Sequence, residues 1–145
     1  MMIVEQKEYS DALLEQVNYL LGQLSSSASP LIAKDLRSIL ESDASRLLIA
    51  TNAEVVVGML TLMIFRIPTG AGLRGLIEDV VVCESVRRKG IGALLIQSAI
   101  NIAEAEGART LDLTSRPERH ATNQLYEKLG FSKRDYNVYR MCLRI

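Results

Sequence analysis

The sequence predicts a mixed α/β (α+β) fold with a mostly antiparallel central sheet, one parallel βαβ unit and about four helices. Two β-branched runs, "RLLIATN" and "EVVVGMLTLMIFRI", flank a short turn near Asn52 and Ala53, which is typical of an antiparallel hairpin. A strand, a helix and another strand then follow within about 40 residues, the order of a parallel βαβ unit. With 145 residues, the chain is expected to form a single domain over 1–145.

A short strand and two amphipathic helices are expected before the hairpin. Residues 3–5 form the candidate first strand, and a helix over 11–23 follows Ser10, a suitable N-cap. Ser29 before Pro30 is the pattern of an N-cap and a first-turn proline, so it predicts the start of the second helix. The residues expected to face the core are Leu13, Val17, Leu20, Leu21 and Leu24, then Ile32, Leu36, Ile39 and Leu40.

The second half of the chain begins with its most apolar strand candidate, Leu73 to Cys83. The helix after it ends near Gly107, and "ARTLDLTS" supplies the next strand. A short helix in "RHATNQLYEKLG" stops at Gly130, which suits the C′ position. The alternating segment "NVYRMCLRI" predicts a last strand. The residues expected to face inward are Leu94, Leu95, Ala99, Ile102 and Ala103 in the longer helix, and Ala121, Leu125 and Leu129 in the shorter one.

The charge and cysteine content exclude several classes of protein. Because 17 Lys and Arg balance 17 Asp and Glu, no overall field attracts nucleic acid or an anionic membrane. No apolar run reaches the roughly 18 residues of a membrane span, and the first residues lack the features of a secretory signal. We therefore expect a soluble, cytoplasmic protein. Cys83 and Cys142 stand far apart beside a single His, so we expect no disulfide, no metal and two buried cysteines.

The segment "ESVRRKGIGALL" predicts an anion site. A strand that leads through a glycine loop into a helix presents unpaired backbone N–H groups and the positive end of the helix dipole. Gly90 and Gly92 allow close approach of a ligand, and Arg87, Arg88 and Lys89 add positive charge. The expected ligand is a phosphate or pyrophosphate. In the alternative interpretation, the glycines permit close helix packing and the cations form a solvated patch.

Two common nucleotide-binding motifs do not fit this segment. The P-loop needs GxxxxGK followed by Ser or Thr, which no stretch of the chain supplies. The dinucleotide fingerprint GxGxxG needs Gly or Ala where the chain has Leu95, although Asp112 lies at about the distance that this fingerprint expects for its acidic residue.

The chain resembles the GNAT superfamily of acyl-CoA N-acyltransferases at two motifs. Residues 87–92, Arg-Arg-Lys-Gly-Ile-Gly, satisfy the Q/R-x-x-G-x-G/A signature of that superfamily. Downstream, "NQLYEKLGF" from Asn123 to Phe131 is similar to its second signature, a helix that carries a tyrosine and ends in Leu-Gly-Phe. The predicted order of strands and helices is also similar to the GNAT fold. The motifs cover the C-terminal half of the chain, and the N-terminal half matches by element order only.

This resemblance implies acetyl-CoA as the co-substrate. Its pyrophosphate would bind the glycine loop, and its pantetheine arm would pair with the backbone of the preceding valines, one of whose N–H groups would polarise the thioester carbonyl. Asn123 reaches the pantetheine or covers the helix face; the family asparagine usually stands seven residues before the tyrosine, where this chain has Arg119. The implied cofactor-binding residues are Val80, Val81, Val82, Arg87, Arg88, Lys89, Gly90, Ile91, Gly92, Ala93 and Asn123.

Acyl transfer to an amine needs a base and an acid. An alkyl amine has a pKa of about 10.4, so a base assists its attack at neutral pH. Glu78 and Asp79 precede the cofactor segment, and strand alternation predicts that they point to opposite faces. The resemblance favours Glu78 as the base, with Asp79 or a water as alternatives. Tyr126 matches the family tyrosine that protonates the departing thiolate.

These features together predict an N-acetyltransferase that transfers the acetyl group of acetyl-CoA to a primary amine of a small molecule or peptide, by direct attack in a ternary complex. The alternatives are a catalytically inactive CoA-binding or sensor module, and a phosphate-binding structural module unrelated to CoA. The first two helices, the loop over 70–75 and the C-terminal strand are expected to select the acceptor. The last strand and the apolar face of the hairpin could also support a homodimer.

Overall fold

The computed structural model describes residues 1–69 and 72–144, so Gly70, in the predicted acceptor loop, lies outside the described residues. The strands are β1 (Met2–Gln6), β2 (Ser45–Asn52), β3 (Val55–Arg66), β4 (Leu73–Val82) and β5 (Ala108–Asp112). The helices are α1 (Asp11–Leu24), α2 (Ala33–Glu41), α3 (Ile91–Ala105) and α4 (His120–Lys128). The strands form one sheet in the order β1-β2-β3-β4-β5, antiparallel except for the parallel pair β4–β5. This arrangement confirms the predicted fold class.

The chain divides into two compact units. The first, Met1–Thr114, contains the sheet and α1 to α3, and the second begins at Ser115 and contains α4. A single domain over 1–145 therefore stays a prediction. Within the described ranges, no helix combines the length and the apolar character needed to cross a membrane.

The turn between β2 and β3 follows from local backbone geometry. Ala53 and Glu54 both have positive φ, 49° and 69°, and Asn52 pairs with Val55 across the turn. Two central residues with positive φ match the right-handed twist of the flanking strands. The hairpin expected near residues 52 and 53 is therefore confirmed, although neither central residue is a glycine.

The core lies on both faces of the sheet. On one face, Leu13, Val17 and Leu20 of α1 and Leu36 and Leu40 of α2 are buried against the strands. On the other face, α3 comes close to β3, where a Cβ built on Gly58 would lie 3.1 Å from Leu95 Cδ1 and 3.3 Å from Ile91 Cγ2. The missing side chain of Gly58 therefore allows α3 to pack directly on the strand.

Helix α2 begins three residues later than Ser29 and Pro30 predict. The side chain of Asn18 binds both backbone groups of Leu31, accepting from its N–H at 2.8 Å and donating to its carbonyl oxygen at 3.0 Å. These bonds satisfy the backbone of Leu31 outside a helix, and the next residue, Ile32, is the extended N-cap from which α2 starts at Ala33. Ile32, expected to face inward, is 60% exposed.

Several single-residue predictions are also wrong. Leu94 is exposed, although Leu95, Ala99 and Ala103 are buried as expected, because helical periodicity alone does not separate two adjacent leucines at the edge of an apolar stripe. On α4, Leu125 and Leu129 are half-buried and Ala121 is exposed. Cys83 is half-buried and Cys142 is exposed, and both are free thiols.

The predicted last strand does not form. Residues 132–144 have no regular secondary structure, and the backbone hydrogen bonds described for the second unit end at the N–H of Phe131. Alternation predicts a strand only if a neighbouring strand supplies a hydrogen-bond ladder, and sequence does not report that neighbour. The large apolar residues of this segment are exposed: Tyr136, Val138, Tyr139, Met141 and Leu143.

Candidate active site

Among the described residues, β4 has no partner strand along one edge of Val80–Val82, the segment predicted to bind the cofactor. It pairs with β3 as far as Gly58 and Val82, but its pairing with β5 ends at Leu76 and Asp112. The Cys83 N–H donates to the Val57 carbonyl oxygen at 2.8 Å. Since hydrogen-bonded and non-hydrogen-bonded positions alternate in an antiparallel ladder, the N–H and C=O of Val82 point to the open edge. This edge can accept an added strand-like ligand.

A β-bulge interrupts β4 just before that edge. The pairing steps from Met59 with Val81 to Thr61 with Glu78, which leaves Asp79 and Val80 opposite Leu60. Asp79 has a φ of 54°. A bulge residue in the left-handed region bends the strand and breaks the alternation of its side chains.

The expectation that Glu78 and Asp79 point to opposite faces rests on strand alternation, which does not hold across this bulge, so it stays a prediction. Glu78 pairs with Thr61, and Thr61 lines the same small pocket as Asp79. Alternation assumes extended backbone at every position, and the positive φ of Asp79 violates that assumption.

Within the part of the chain that the structure describes, the first N–H groups of α3 have no hydrogen-bond partner. Its N-cap is Gly90, with a φ of 80°, no side-chain capping bond and no acidic residue in the first turn. The first helical N–H with a backbone partner in the described chain is that of Leu94, which donates to the Gly90 carbonyl oxygen at 3.1 Å. By contrast, α1 is capped from within, because the Ser10 Oγ accepts from the Leu13 N–H at 3.0 Å. The start of α3 is thus suited to an external anion.

Three exposed cations surround this helix start. The Arg87 Nε–H donates to the Val82 carbonyl oxygen at 3.1 Å and so ties the loop to the open edge of β4. Arg88 has a φ of 68°, and neither it nor Lys89 forms an ion pair among the described residues. Positive charge without a carboxylate partner, next to free N–H groups, fits a pyrophosphate.

The second signature has a clear structural role at the end of α4. Gly130, with a φ of 106°, follows the helix, and the Phe131 N–H donates back to the Tyr126 carbonyl oxygen at 3.0 Å. This is the Schellman motif, and the rings of Tyr126 and Phe131 supply its apolar contact at a centroid distance of 6.0 Å. The Leu-Gly-Phe ending therefore holds Tyr126 in place.

Burial raises the pKa of the Tyr126 phenol above its ordinary value, and the positive charge of Arg119 offsets only part of that shift. The hydroxyl accordingly carries its proton at neutral pH, which is the state that a general acid requires. Asn123 lies one turn earlier, where its Nδ2 donates to the Arg116 carbonyl oxygen at 3.1 Å. This bond engages the side-chain amide of Asn123 within its own unit. It favours a residue that covers the helix face over one that binds the pantetheine.

Gln23, which the sequence did not mark as a functional residue, forms hydrogen bonds to the residues that follow β4. Its Oε1 accepts from the Glu84 N–H at 2.9 Å, and its Nε2 donates to the Cys83 Sγ at 3.6 Å. Hydrogen bonds from Ser85 lower the pKa of the Cys83 thiol. No periodicity or motif marks a glutamine for such a role, because the polar face of a helix admits any polar residue.

The predicted site residues are divided between the two units. Glu78, Val80–Val82 and residues 87–93 lie together on β4, the loop after it and the start of α3. Asn123 and Tyr126 lie on α4 in the second unit.

Residues 14–131 match the family model described as the acetyltransferase (GNAT) family. The chain therefore belongs to the GNAT family of acetyltransferases and is an acyltransferase. Members of this family use acetyl-CoA.

Solved structures share the fold over nearly the whole chain. An acetyltransferase of Trypanosoma brucei is 26% identical, with 97% of this chain and 99% of that chain covered and a TM-score of 0.82. A transcriptional regulator of Bacillus halodurans C-125 is also 26% identical, with coverages of 97% and 99% and a TM-score of 0.84. An aminoglycoside N-acetyltransferase in complex with CoA is 20% identical, with coverages of 99% and 95% and a TM-score of 0.80.

Proposed function

We propose that this protein is an N-acetyltransferase that transfers the acetyl group of acetyl-CoA to a primary amine of a small molecule or peptide in a ternary complex. The observation that carries the proposal is the uncapped N-terminus of α3, with its exposed cations, beside the open edge of β4. The family match supports it. One domain over 1–145, a cytoplasmic location and a homodimer stay predictions.

The residues present fit acetyl-CoA in two places. The N–H groups of Ile91, Gly92 and Ala93 and the charges of residues 87–89 hold its pyrophosphate. The open-edge backbone groups of Val80–Val82 hold the pantetheine arm as an added strand would. Arg87 already occupies the Val82 carbonyl oxygen, so the N–H of Val82 is the group left for the ligand. An N–H donor on this edge also stabilises charge on the thioester oxygen.

The chemistry requires two proton transfers. An acceptor amine with a pKa of about 10.4 arrives as an ammonium ion, and a carboxylate of β4, Glu78 or Asp79, or a water that it holds, accepts one proton. When bound, acetyl-CoA supplies an acetyl thioester, and the amine nitrogen bonds to its carbonyl carbon as the carbon–sulfur bond breaks. Tyr126 gives its phenolic proton to the sulfur and regains one from solvent, while the nitrogen loses its second proton to solvent.

A CoA-binding module without turnover is the second candidate. The structural neighbour described as a transcriptional regulator has this fold, so the fold alone does not require catalysis. The protonated, buried phenol of Tyr126 favours the enzyme, because cofactor binding by itself needs no acid.

The proposal is tested by measuring CoA thiol release from acetyl-CoA with a broad panel of primary amines. We expect acceptor-dependent release by the wild type and a fall in kcat of about 10²- to 10⁴-fold in Tyr126→Phe. Tyr136→Phe is the matched control, because Tyr136 is 71% exposed and its loss should leave kcat unchanged.

Other outcomes identify the alternatives. Tight acetyl-CoA binding without acceptor-dependent thiol release across the panel would indicate the CoA-binding module. No binding of acetyl-CoA or CoA would indicate a structural phosphate site instead.

A further inference from the structure

A small pocket lies between the first two helices and the sheet, beside the bulge of β4. Its volume is about 90 Å³, well below the roughly 300–1,000 Å³ of sites for drug-sized ligands. Aliphatic side chains form most of its wall, among them Val17 and Leu21 of α1 and Ile39 of α2. Thr61 and Asp79 are the polar residues of its lining. The pocket therefore suits a compact apolar group with one polar end.

Asp79 is held at this pocket in an unfavourable backbone conformation. Its φ of 54° is in the left-handed region, which glycine adopts most readily and which Asp and Asn tolerate better than other residues. Its side chain is exposed, and within 1–69 and 72–144 no hydrogen bond or ion pair of its carboxylate is present. Strained residues without a structural partner cluster at functional sites.

The composition of the pocket restricts the acceptor chemistry. A carboxylate attracts an ammonium group and accepts its hydrogen bonds. The aliphatic wall disfavours hydroxyl groups and further charges, since a buried polar group without a partner loses its hydration. An alkyl substituent instead gains from burial against Val17, Leu21 and Ile39. The two properties select an amine that carries a single charge and a short aliphatic group.

We propose that Asp79 binds the ammonium group of the acceptor and accepts one of its protons, and that the aliphatic pocket receives a compact alkyl substituent. The acceptor class is then a primary alkylamine with one charge. This inference rests on the proposed function and replaces Glu78, which is not part of the pocket wall, with Asp79 as the acceptor's carboxylate.

The first experiment compares acceptors at saturating acetyl-CoA. Thiol release is measured with ethylamine, isobutylamine, ethanolamine and a polycationic aminoglycoside. We expect kcat/KM for isobutylamine to exceed that for ethanolamine by about tenfold or more, because isobutylamine buries more aliphatic carbon and has no hydroxyl group to desolvate. In Leu31→Phe, which narrows the pocket wall, isobutylamine should lose this advantage while ethylamine retains its rate.

The second experiment compares Asp79→Asn with Glu78→Gln. Asn tolerates a positive φ, so Asp79→Asn keeps the bulge, and circular dichroism and thermal melting verify its fold. We expect Asp79→Asn to raise KM for isobutylamine and to lower kcat by about 10²-fold or more. Glu78→Gln should change each of these parameters less than about threefold.

Calorimetry of acetyl-CoA binding distinguishes a failure of this inference from a failure of the proposed function. Turnover of ethanolamine or the aminoglycoside without a preference for alkylamines would overturn this inference and leave the proposed function intact. A larger loss in Glu78→Gln than in Asp79→Asn would also overturn it. If wild-type protein binds acetyl-CoA but acetylates no amine, the proposed function and this inference both fail.

Discussion

Tyr126 and Asp79 have properties that come from their surroundings rather than from residue type. Burial raises the pKa of the Tyr126 phenol, and the Schellman motif at Gly130 holds its backbone. Asp79 has a positive φ at a bulge, where strand alternation no longer applies. The tyrosine could be identified from a motif in the sequence. The orientation of Asp79 could not, because it depends on the register between two strands.

The raised pKa of Tyr126 predicts the alkaline limb of the pH profile. A raised pKa keeps the proton on the phenol to higher pH, so the acid stays competent throughout the neutral and mildly alkaline range. We expect kcat to stay level up to about pH 10, the ordinary pKa of tyrosine, and to fall only above it. Steady-state kinetics at saturating substrates measure this profile. An alkaline limb centred below pH 9 that Tyr126→Phe abolishes would contradict the expected direction, given an ordinary tyrosine pKa of about 10.

Replacing Asp79 with glycine should abolish activity without lowering the free energy of unfolding. In Asp79→Gly, relief of the left-handed strain, about 1–2 kcal/mol, is offset by the entropy of glycine, about 0.5–1 kcal/mol. The free energy of unfolding should therefore stay constant or rise slightly while acetyl transfer is lost. Asp79→Val is the control, because a β-branched residue at positive φ should destabilise by about 1–3 kcal/mol. Denaturant unfolding measures both, and a destabilised Asp79→Gly would show that the carboxylate supports the fold.

The first residues of α3 and α2 differ in how well local sequence predicts them. Gly90 directly precedes the first helical residue of α3 as its N-cap, so a local feature of the sequence marks this helix start. The start of α2 depends on Asn18, 13 residues earlier in the chain than the Leu31 backbone it binds. A capping signal at Ser29 and Pro30 does not reveal that contact, and the helix begins at Ala33.

Two glycines provide a matched test of the loop before α3. A Cβ at either Gly90 or Gly22 would meet no atom within 4 Å, but Gly90 has a φ of 80° and Gly22 lies inside α1. Gly90→Ala should destabilise by about 1–2 kcal/mol, because alanine disfavours the left-handed region. Gly22→Ala should stabilise by about 0.5–1 kcal/mol, as expected inside a helix.

Denaturant unfolding and acetyl-CoA titration measure the two glycine variants. The dissociation constant for acetyl-CoA should rise in Gly90→Ala and stay unchanged in Gly22→Ala. Equal effects of both substitutions on stability or on affinity would mean that the backbone of Gly90 does not shape the anion site.

For the whole molecule, acetyl-CoA should act as a stabilising ligand. A ligand that binds only the folded state at about 100 times its dissociation constant adds about 2.7 kcal/mol to the free energy of unfolding. For a chain of this size, that should raise Tm by roughly 5–10 °C. Thermal shift measures it, with NAD as the control. An equal shift with NAD would indicate a general dinucleotide or phosphate site.

Local sequence was sufficient to predict the fold class and the family, and it marks Gly90 as the expected anion site, because periodicity, glycine positions and short motifs are properties of neighbouring residues. Local sequence does not predict which carboxylate lines the pocket, where α2 begins, or that residues 132–144 form no strand. Each of these depends on a contact between distant parts of the chain: the register of β3 with β4, the Asn18 bonds to Leu31, and the presence of a partner strand. Hydrogen-bond partners and register are set by packing, and local sequence carries no record of them.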